Sequence, residues 1–226
     1  MSAQLSIVIP VLNAAEALPA TLDALLPGVA QGVIREVIVT DGGSTDGSAQ
    51  LARDAGCEVV TGPPGRGGQL RRGAQAARGQ WLLFLHADTH LPPNWVGAVC
   101  THQDRQVAGY FRLSFRSNAA MARVIAGGAN LRSRALGLPY GDQGLLISRA
   151  LYDAVGGYAD MPLMEDVAIA RALKGRLVML PETVTTDATR YKRGGWARRS
   201  ARNLWTLARY LGGADPTKLA QAYHKA

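Results

Sequence analysis

The apolar positions divide the chain into short segments of two periods. Residues 5–10, Leu5-Ser6-Ile7-Val8-Ile9-Pro10, form a β-branched run that ends at a proline and predicts a first strand. Residues 14–26 repeat apolar positions at helical spacing, with Pro19 tolerable only near a first turn. Residues 36–40 predict a second strand, and Ser44-Thr45-Asp46 can cap a helix that runs to about Asp54, with Gly56 suited to its C′ position. Residues 58–61 predict a third strand, residues 69–77 a helix stopped near Gly79, and residues 81–85 a wholly apolar fourth strand. Near-continuous apolar strands separated by helices predict a parallel sheet covered on both faces.

The second half is less regular. Residues 107–115 read as a strand, 119–136 as a long helix, 145–148 as a short strand, and 165–173 as a helix with acidic residues at its start. Residues 178–180 and 184–186 read as two further strands. A basic, Trp-containing helix follows over residues 196–211. Without repeats or an obvious linker, the 226 residues are expected to form one α/β domain. Its mostly parallel, Rossmann-like half is residues 1–100 and its smaller mixed half residues 101–226.

Hydrophobic residues make up 47% of the chain and charged residues 19%, a globular balance. No apolar run is long enough for a bilayer, and the N-terminus lacks a basic leader region. Two isolated cysteines, Cys57 and Cys100, fit a reducing compartment. These features predict a cytoplasmic protein. The net charge of +8 favours anionic partners. With no recognition-helix motif and no RNA-binding aromatic signature, nucleic acid is not the expected partner. The basic helix, with Arg198, Arg199 and Arg202 beside Trp196, Leu204 and Trp205, could lie on anionic lipid at the inner membrane face. It could equally pack its Trp face on the core, the reading preferred here.

In an open parallel sheet, ligands sit beyond the C-terminal strand ends. The residues there are Val11-Leu12-Asn13 after the first strand, Asp41-Gly42-Gly43-Ser44 after the second, and His86-Ala87-Asp88-Thr89 after the fourth. Asp41 can accept hydrogen bonds from a base or ribose edge, or it can simply organise a turn. The segment Gly65-Arg66-Gly67-Gly68-Gln69-Leu70-Arg71-Arg72-Gly73 opens a helix with free backbone N–H groups and arginines, which suits a nucleoside or phosphate, or else forms a flexible turn before a solvated arginine face. Asp88 can hold Mg²⁺ or Mn²⁺, since these ions need only one or two carboxylates beside substrate phosphates, or it can simply cap the helix that follows near Pro92, and His86 is a candidate second ligand or an ordinary satisfied histidine. Glu165 and Asp166 open a later helix, where the dipole alone can account for them or one can act as a general base.

Together these segments resemble family 2 of the glycosyltransferases, with its nucleotide-sugar-binding GT-A fold. The resemblance rests on Ser6-Ile7-Val8-Ile9-Pro10 with Asn13, on Val39-Thr40-Asp41-Gly42-Gly43-Ser44-Thr45-Asp46-Gly47, on Leu83-Phe84-Leu85-His86-Ala87-Asp88, and on Glu165-Asp166. His86-Ala87-Asp88-Thr89 and residues 137–144 look most like a small soluble bacterial subgroup. The resemblance implies that Pro10, Asn13, Asp41, Gly67 and Arg71 bind the nucleotide sugar, with a UDP-sugar as the expected donor. It implies that Asp88 matches the last acid of the family's Asp-x-Asp metal motif, that Asp166 is the catalytic base with Glu165 beside it, and that Gly141, Asp142 and Gln143 face the sugar or acceptor. His86 replaces the first acid of that motif, and the Gln-x-x-Arg-Trp motif of processive polymerases is absent. The expected activity is an inverting, divalent-metal-assisted sugar transfer to an acceptor hydroxyl, and a lipid-linked acceptor would give the basic helix a purpose. The other readings are a sugar-phosphate nucleotidyltransferase and a non-catalytic module that binds membrane surfaces or nucleic acid.

Overall fold

In the computed structural model, which describes residues 4–225, one eight-stranded sheet runs through both halves of the chain. Strands β1 (Leu5–Val11), β2 (Ile34–Asp41), β3 (Glu58–Thr61) and β4 (Trp81–Phe84) are parallel, in the order β3-β2-β1-β4. The sheet continues as β7-β6-β8-β5, built from β5 (Thr89–His90), β6 (Ala108–Phe115), β7 (Leu145–Ser148) and β8 (Leu177–Thr186). Strand β7 runs antiparallel to β4 and β6, whereas β8 is parallel to β6. The sheet is thus parallel where the nucleotide half was expected and mixed beyond it, as a GT-A fold requires.

Burial on both faces explains the apolar strands. Along β1, Leu5, Ile7, Ile9 and Val11 join one core and Val8 joins the other. The first core is closed by α1 (Leu18–Asp23), α3 (Ser48–Asp54), α5 (Trp95–His102) and α6 (Ala120–Leu136), and α2 (Leu26–Ala30) lies against Trp95 through Gly28. The second is closed by α4 (Arg66–Ala76), α7 (Arg149–Ala154) and α8 (Glu165–Ala172). The chain ends in α9 (Thr189–Gly194), α10 (Trp196–Leu211) and α11 (Pro216–Lys225). Among the described residues no helix is long and apolar enough to cross a membrane. Cys57 and Cys100 are both free thiols.

Several boundaries differ from expectation for local reasons. The helix expected over residues 14–26 is two short helices, because Pro27 lacks an N–H and starts a new first turn in α2. The two strands expected at 178–180 and 184–186 are one strand, β8. Its register against β6 shifts between Tyr110 and Arg112, and the irregularity accommodates Pro181 without breaking the strand. Helix α4 starts at Arg66 rather than Gln69. The helix expected near Pro92 is α5, and the two-residue β5 and the helices α7, α9 and α11 carry too short or too weak a pattern to have been anticipated.

Candidate functional site

The loops beyond β1 and β2 are tied together by polar side chains. Asp41, only 4% exposed, accepts from the backbone N–H of Gly43 (3.1 Å) and of Ser44 (3.1 and 3.2 Å). Asn13 adopts φ 50°, which Asn tolerates better than most residues. Its Oδ1 accepts from Thr45 N–H at 2.9 Å, while its own N–H donates to Ser44 Oγ at 2.9 Å. Pro10 lies past the last β1–β4 pair, Val8 with Phe84, so its missing N–H interrupts no pairing with β4.

Gln69, which sequence reasoning passed over, binds this platform to α4. Its Nε2 donates to the carbonyls of Val11 (2.8 Å) and Thr40 (2.7 Å), and its Oε1 accepts from Gly65 N–H (3.3 Å). The first residue of α4, Arg66, places Nε 3.3 Å from Glu165 Oε1 at the start of α8. Gly67 is buried against a backbone: a Cβ there would lie 2.3 Å from the Ala159 carbonyl oxygen. Its smallness therefore brings α4 close to the segment before α8. Arg71, expected near the nucleotide, is exposed further along α4, and its charge acts on Tyr152 of α7. Arg66 is the arginine of this helix that reaches the acidic pair.

Glu165 is 1% exposed, and burial first and the Asp166 charge second push its carboxyl up, against the pull of Arg66. Asp166 is held differently. Its Oδ2 accepts from the N–H of Gly141 at 2.9 Å and its Oδ1 from the N–H of Val167 at 2.8 Å. Met164, at φ 67°, makes the left-handed bend that turns the chain into α8. Two small crevices meet at Gly141, Tyr158 and Asp166, and one of them is also lined by His86 and Glu165. The strand-end residue His86 and the late carboxylate Asp166 thus border one space, despite their separation in sequence.

The loop of Gly141–Gln143 forms a 3-10 turn between the two. Asp142 has a buried Oδ1 without a hydrogen-bond partner. Burial raises its carboxyl to about 6, Arg132 opposes this, and the charges of Asp166 and Asp88 add to it. Asp142 is therefore the point where the fields of the two expected functional acids overlap. Arg132, another residue not anticipated, lies 3.5 Å over the Tyr140 ring. Gln143 does not face the crevices. It is fully buried, its Oε1 accepts from Ser133 Oγ and Tyr140 N–H, and its Nε2 donates to the Phe111 carbonyl at 3.1 Å. Its amide is occupied in fixing the turn, which corrects its assignment to the sugar or acceptor.

The residues fit a divalent ion in part. The Asp88 carboxylate is half-buried, with only a 3.5 Å contact from Thr186 Oγ1, and Arg116 pins its backbone by donating to the Asp88 carbonyl at 2.9 Å. It is an oxygen donor of the kind Mg²⁺ and Mn²⁺ accept. His86 suits the role poorly at Nε2, which is buried without a partner and closed off by Gly141: a Cβ on Gly141 would lie 2.4 Å from it. Burial, with the charges of Arg66 and Arg190, lowers the His86 pKa well below its ordinary value and keeps the ring neutral. Among the described residues no three His, Cys, Asp or Glu side chains gather as a metal cage. An ion here would take its remaining ligands from phosphate and water.

Comparison with known proteins bears on the family and the fold. The family model described as Glycosyl transferase family 2 matches residues 6–125. Glucosyl-3-phosphoglycerate synthase of Mycobacterium tuberculosis is 30% identical over 139 residues, 55% of this chain and 43% of that protein. A PGL/p-HBAD biosynthesis glycosyltransferase of Mycobacterium bovis is 37% identical over 93 residues, 38% of this chain and 36% of that protein. The chain thus spans less than half the length of these relatives. Among solved structures, the mycobacterial glucosyl-3-phosphoglycerate synthase in complex with Mn²⁺, UDP and glucosyl-3-phosphoglycerate superimposes with a TM-score of 0.58 at 20% identity, over 88% of this chain and 78% of that one. S. aureus TarS 1-349 in complex with UDP-GlcNAc superimposes with a TM-score of 0.64 at 15% identity, over 83% and 58% of the two chains.

Proposed function

Because the chain belongs to glycosyl transferase family 2, we propose that it transfers a sugar from a UDP-sugar to an acceptor hydroxyl with inversion at the anomeric carbon. The observation that carries this reading is the shared space of His86 and Asp166, with Asp142 under the combined field of Asp166 and Asp88. It joins the donor-side strand ends to a carboxylate that can serve as base. The uridine nucleotides bound in the similar structures, UDP in one and UDP-GlcNAc in the other, support a uridine nucleotide for the donor.

Asp166 takes the proton of the attacking hydroxyl. Two backbone N–H groups fix both of its oxygens, so the carboxylate that lines the crevice is held without side-chain reorganisation. Glu165 is a positioning residue: buried, it holds Arg66 at the mouth of α4, and the guanidinium offers charge-matched donors to an anionic leaving group. Asn13, Asp41 and the Ser44 loop form the nucleoside platform, with Pro10 as its rigid edge, and Gly141 and Asp142 line the sugar side. Asp88 would hold a Mg²⁺ or Mn²⁺ ion, which when bound neutralises charge on the leaving diphosphate.

The test is a donor panel. The protein is incubated with UDP-, GDP- and dTDP-sugars and Mn²⁺ or Mg²⁺, and released nucleotide and thermal shift are measured. Release of UDP with the largest shift for UDP-sugars supports the reading. Release of pyrophosphate from a nucleoside triphosphate and a sugar phosphate would mark a nucleotidyltransferase and overturn it.

A further inference from the structure

The described part of the protein leaves ten large hydrophobic side chains exposed, and seven of them lie on α6 and α10. Helix α6 turns Met121, Val124 and Leu131 outward, with Leu136 at its end. Helix α10 exposes Leu204, Leu211 and Trp205, the last of these 66% exposed. Ala197, Ala201 and Ala208 share that outward side of α10, and the exposed Arg198 and Arg209, seven residues before and four after Trp205, stand on the row of that tryptophan. A helix turned toward water ordinarily carries its polar residues there. The two tryptophans of α10 have opposite destinations: Trp196 stacks on Tyr191 against the core, and Trp205 does not. The preference for a helix that packs its Trp face inward is therefore right for one tryptophan and wrong for the other.

Helices α6 and α10 pack against each other, and neither contains an Asp or a Glu. Exposed Lys192 and Arg193 of α9 add to the same basic end of the chain. Charge selects the occupant of this apolar surface. A second copy would set two acid-free basic faces together, whereas an anionic lipid surface attracts the arginines and accepts the apolar side chains between them. Tryptophan and leucine bordered by arginine is the pattern of a helix lying in a lipid headgroup layer.

We infer that the α6–α10 face docks on an anionic lipid bilayer, with Trp205, Leu204 and Leu131 entering the boundary between headgroups and acyl chains. At the edge of this face α6 carries Arg132, stacked on Tyr140 next to Asp142, so the docked helix would adjoin the acceptor-side loop. An acceptor hydroxyl carried on a lipid would reach the crevice from this direction, an extension that rests on the transferase reading. The docking itself does not depend on that reading.

The test is co-sedimentation of the chain, without nucleotide sugar, with phosphatidylglycerol–phosphatidylcholine vesicles and with phosphatidylcholine vesicles alone. The wild type is expected to sediment with the anionic vesicles only. Trp205→Glu and Leu131→Glu, both at exposed positions, are expected to need about tenfold more lipid with an unchanged urea unfolding midpoint. Wild type left in the supernatant with anionic vesicles, or a Trp205→Glu variant that binds like wild type, would overturn the inference. So would a dimer in ultracentrifugation that Trp205→Glu dissociates while neither protein binds vesicles. UDP release in the donor panel is read separately, so failure of one proposal is not mistaken for failure of the other.

Discussion

The backbone N–H of Gly141 donates a 2.9 Å hydrogen bond to Oδ2 of Asp166, and the same glycine lies against Nε2 of His86. One residue without a side chain thus lets a strand-end loop of the donor half meet the carboxylate of the acceptor half. A methyl group in that place must displace either the imidazole or the turn. Gly141→Ala is expected to lower stability by about 1–3 kcal/mol and to cut transfer at least tenfold. His86→Ala in the same chain should recover part of the stability, giving a coupling of about 1 kcal/mol or more in a urea double-mutant cycle. Strict additivity of the two changes would refute the contact.

Arg66 and Glu165 give a second expectation, in which pH is the variable. Glu165 has its folded pKa raised by burial, so ionisation is opposed in the folded state and Arg66 is its counterweight. Removing the guanidinium with Arg66→Met leaves the buried carboxylate alone. The variant should lose about 1–3 kcal/mol at pH 8 and much less at pH 5, where Glu165 is neutral. Urea midpoints at the two pH values check this, and an equal loss at both would mean that Arg66 acts by packing alone.

Asp142 is a sharper case of the same linkage. Its carboxyl is raised from 3.8 to about 6 in the folded protein. Such a group contributes stability that is fully present below pH 4 and is lost as pH rises through 6. Asp142→Asn should therefore stabilise the protein at pH 8, by up to about 3 kcal/mol, and have little effect at pH 4. Thermal unfolding across that range tests it, and a gain independent of pH would exclude ionisation as the cause.

The parallel half was legible because its strands are buried on both faces: Ile7, Val8 and Ile9 had to be apolar together, and the residues after each strand had to be the polar ones. The tandem Glu165-Asp166 at a helix start was legible for the same reason of contrast. What escaped was decided by tertiary contact. Nothing local distinguishes Arg66 from Arg71, and only the placement of α8 shows that the first meets Glu165 while the second stays exposed. Gln143 reads as a polar loop residue, yet the Ser133 hydroxyl and the Phe111 carbonyl draw it inside. The glycines Gly67 and Gly141 read as turn formers, and their actual requirement is a close approach of distant backbone or ring. The Leu204-Trp205 pair looks like core in sequence and is solvent-facing because the opposite side of α10 is the one that packs.

The central claim is that Asp166 accepts the proton of the acceptor hydroxyl. The most direct measurement is the kcat of sugar transfer by Asp166→Asn, with the acceptor found by screening against the UDP-sugar that the donor panel identifies. The amide oxygen can keep the Gly141 N–H bond while the bond from Val167 N–H is lost, so a stability loss of about 1 kcal/mol is expected, with the fold and the donor KM kept. The account predicts a kcat lower by about 100-fold or more. A folded Asp166→Asn protein that transfers sugar within a few-fold of the wild-type rate would contradict it.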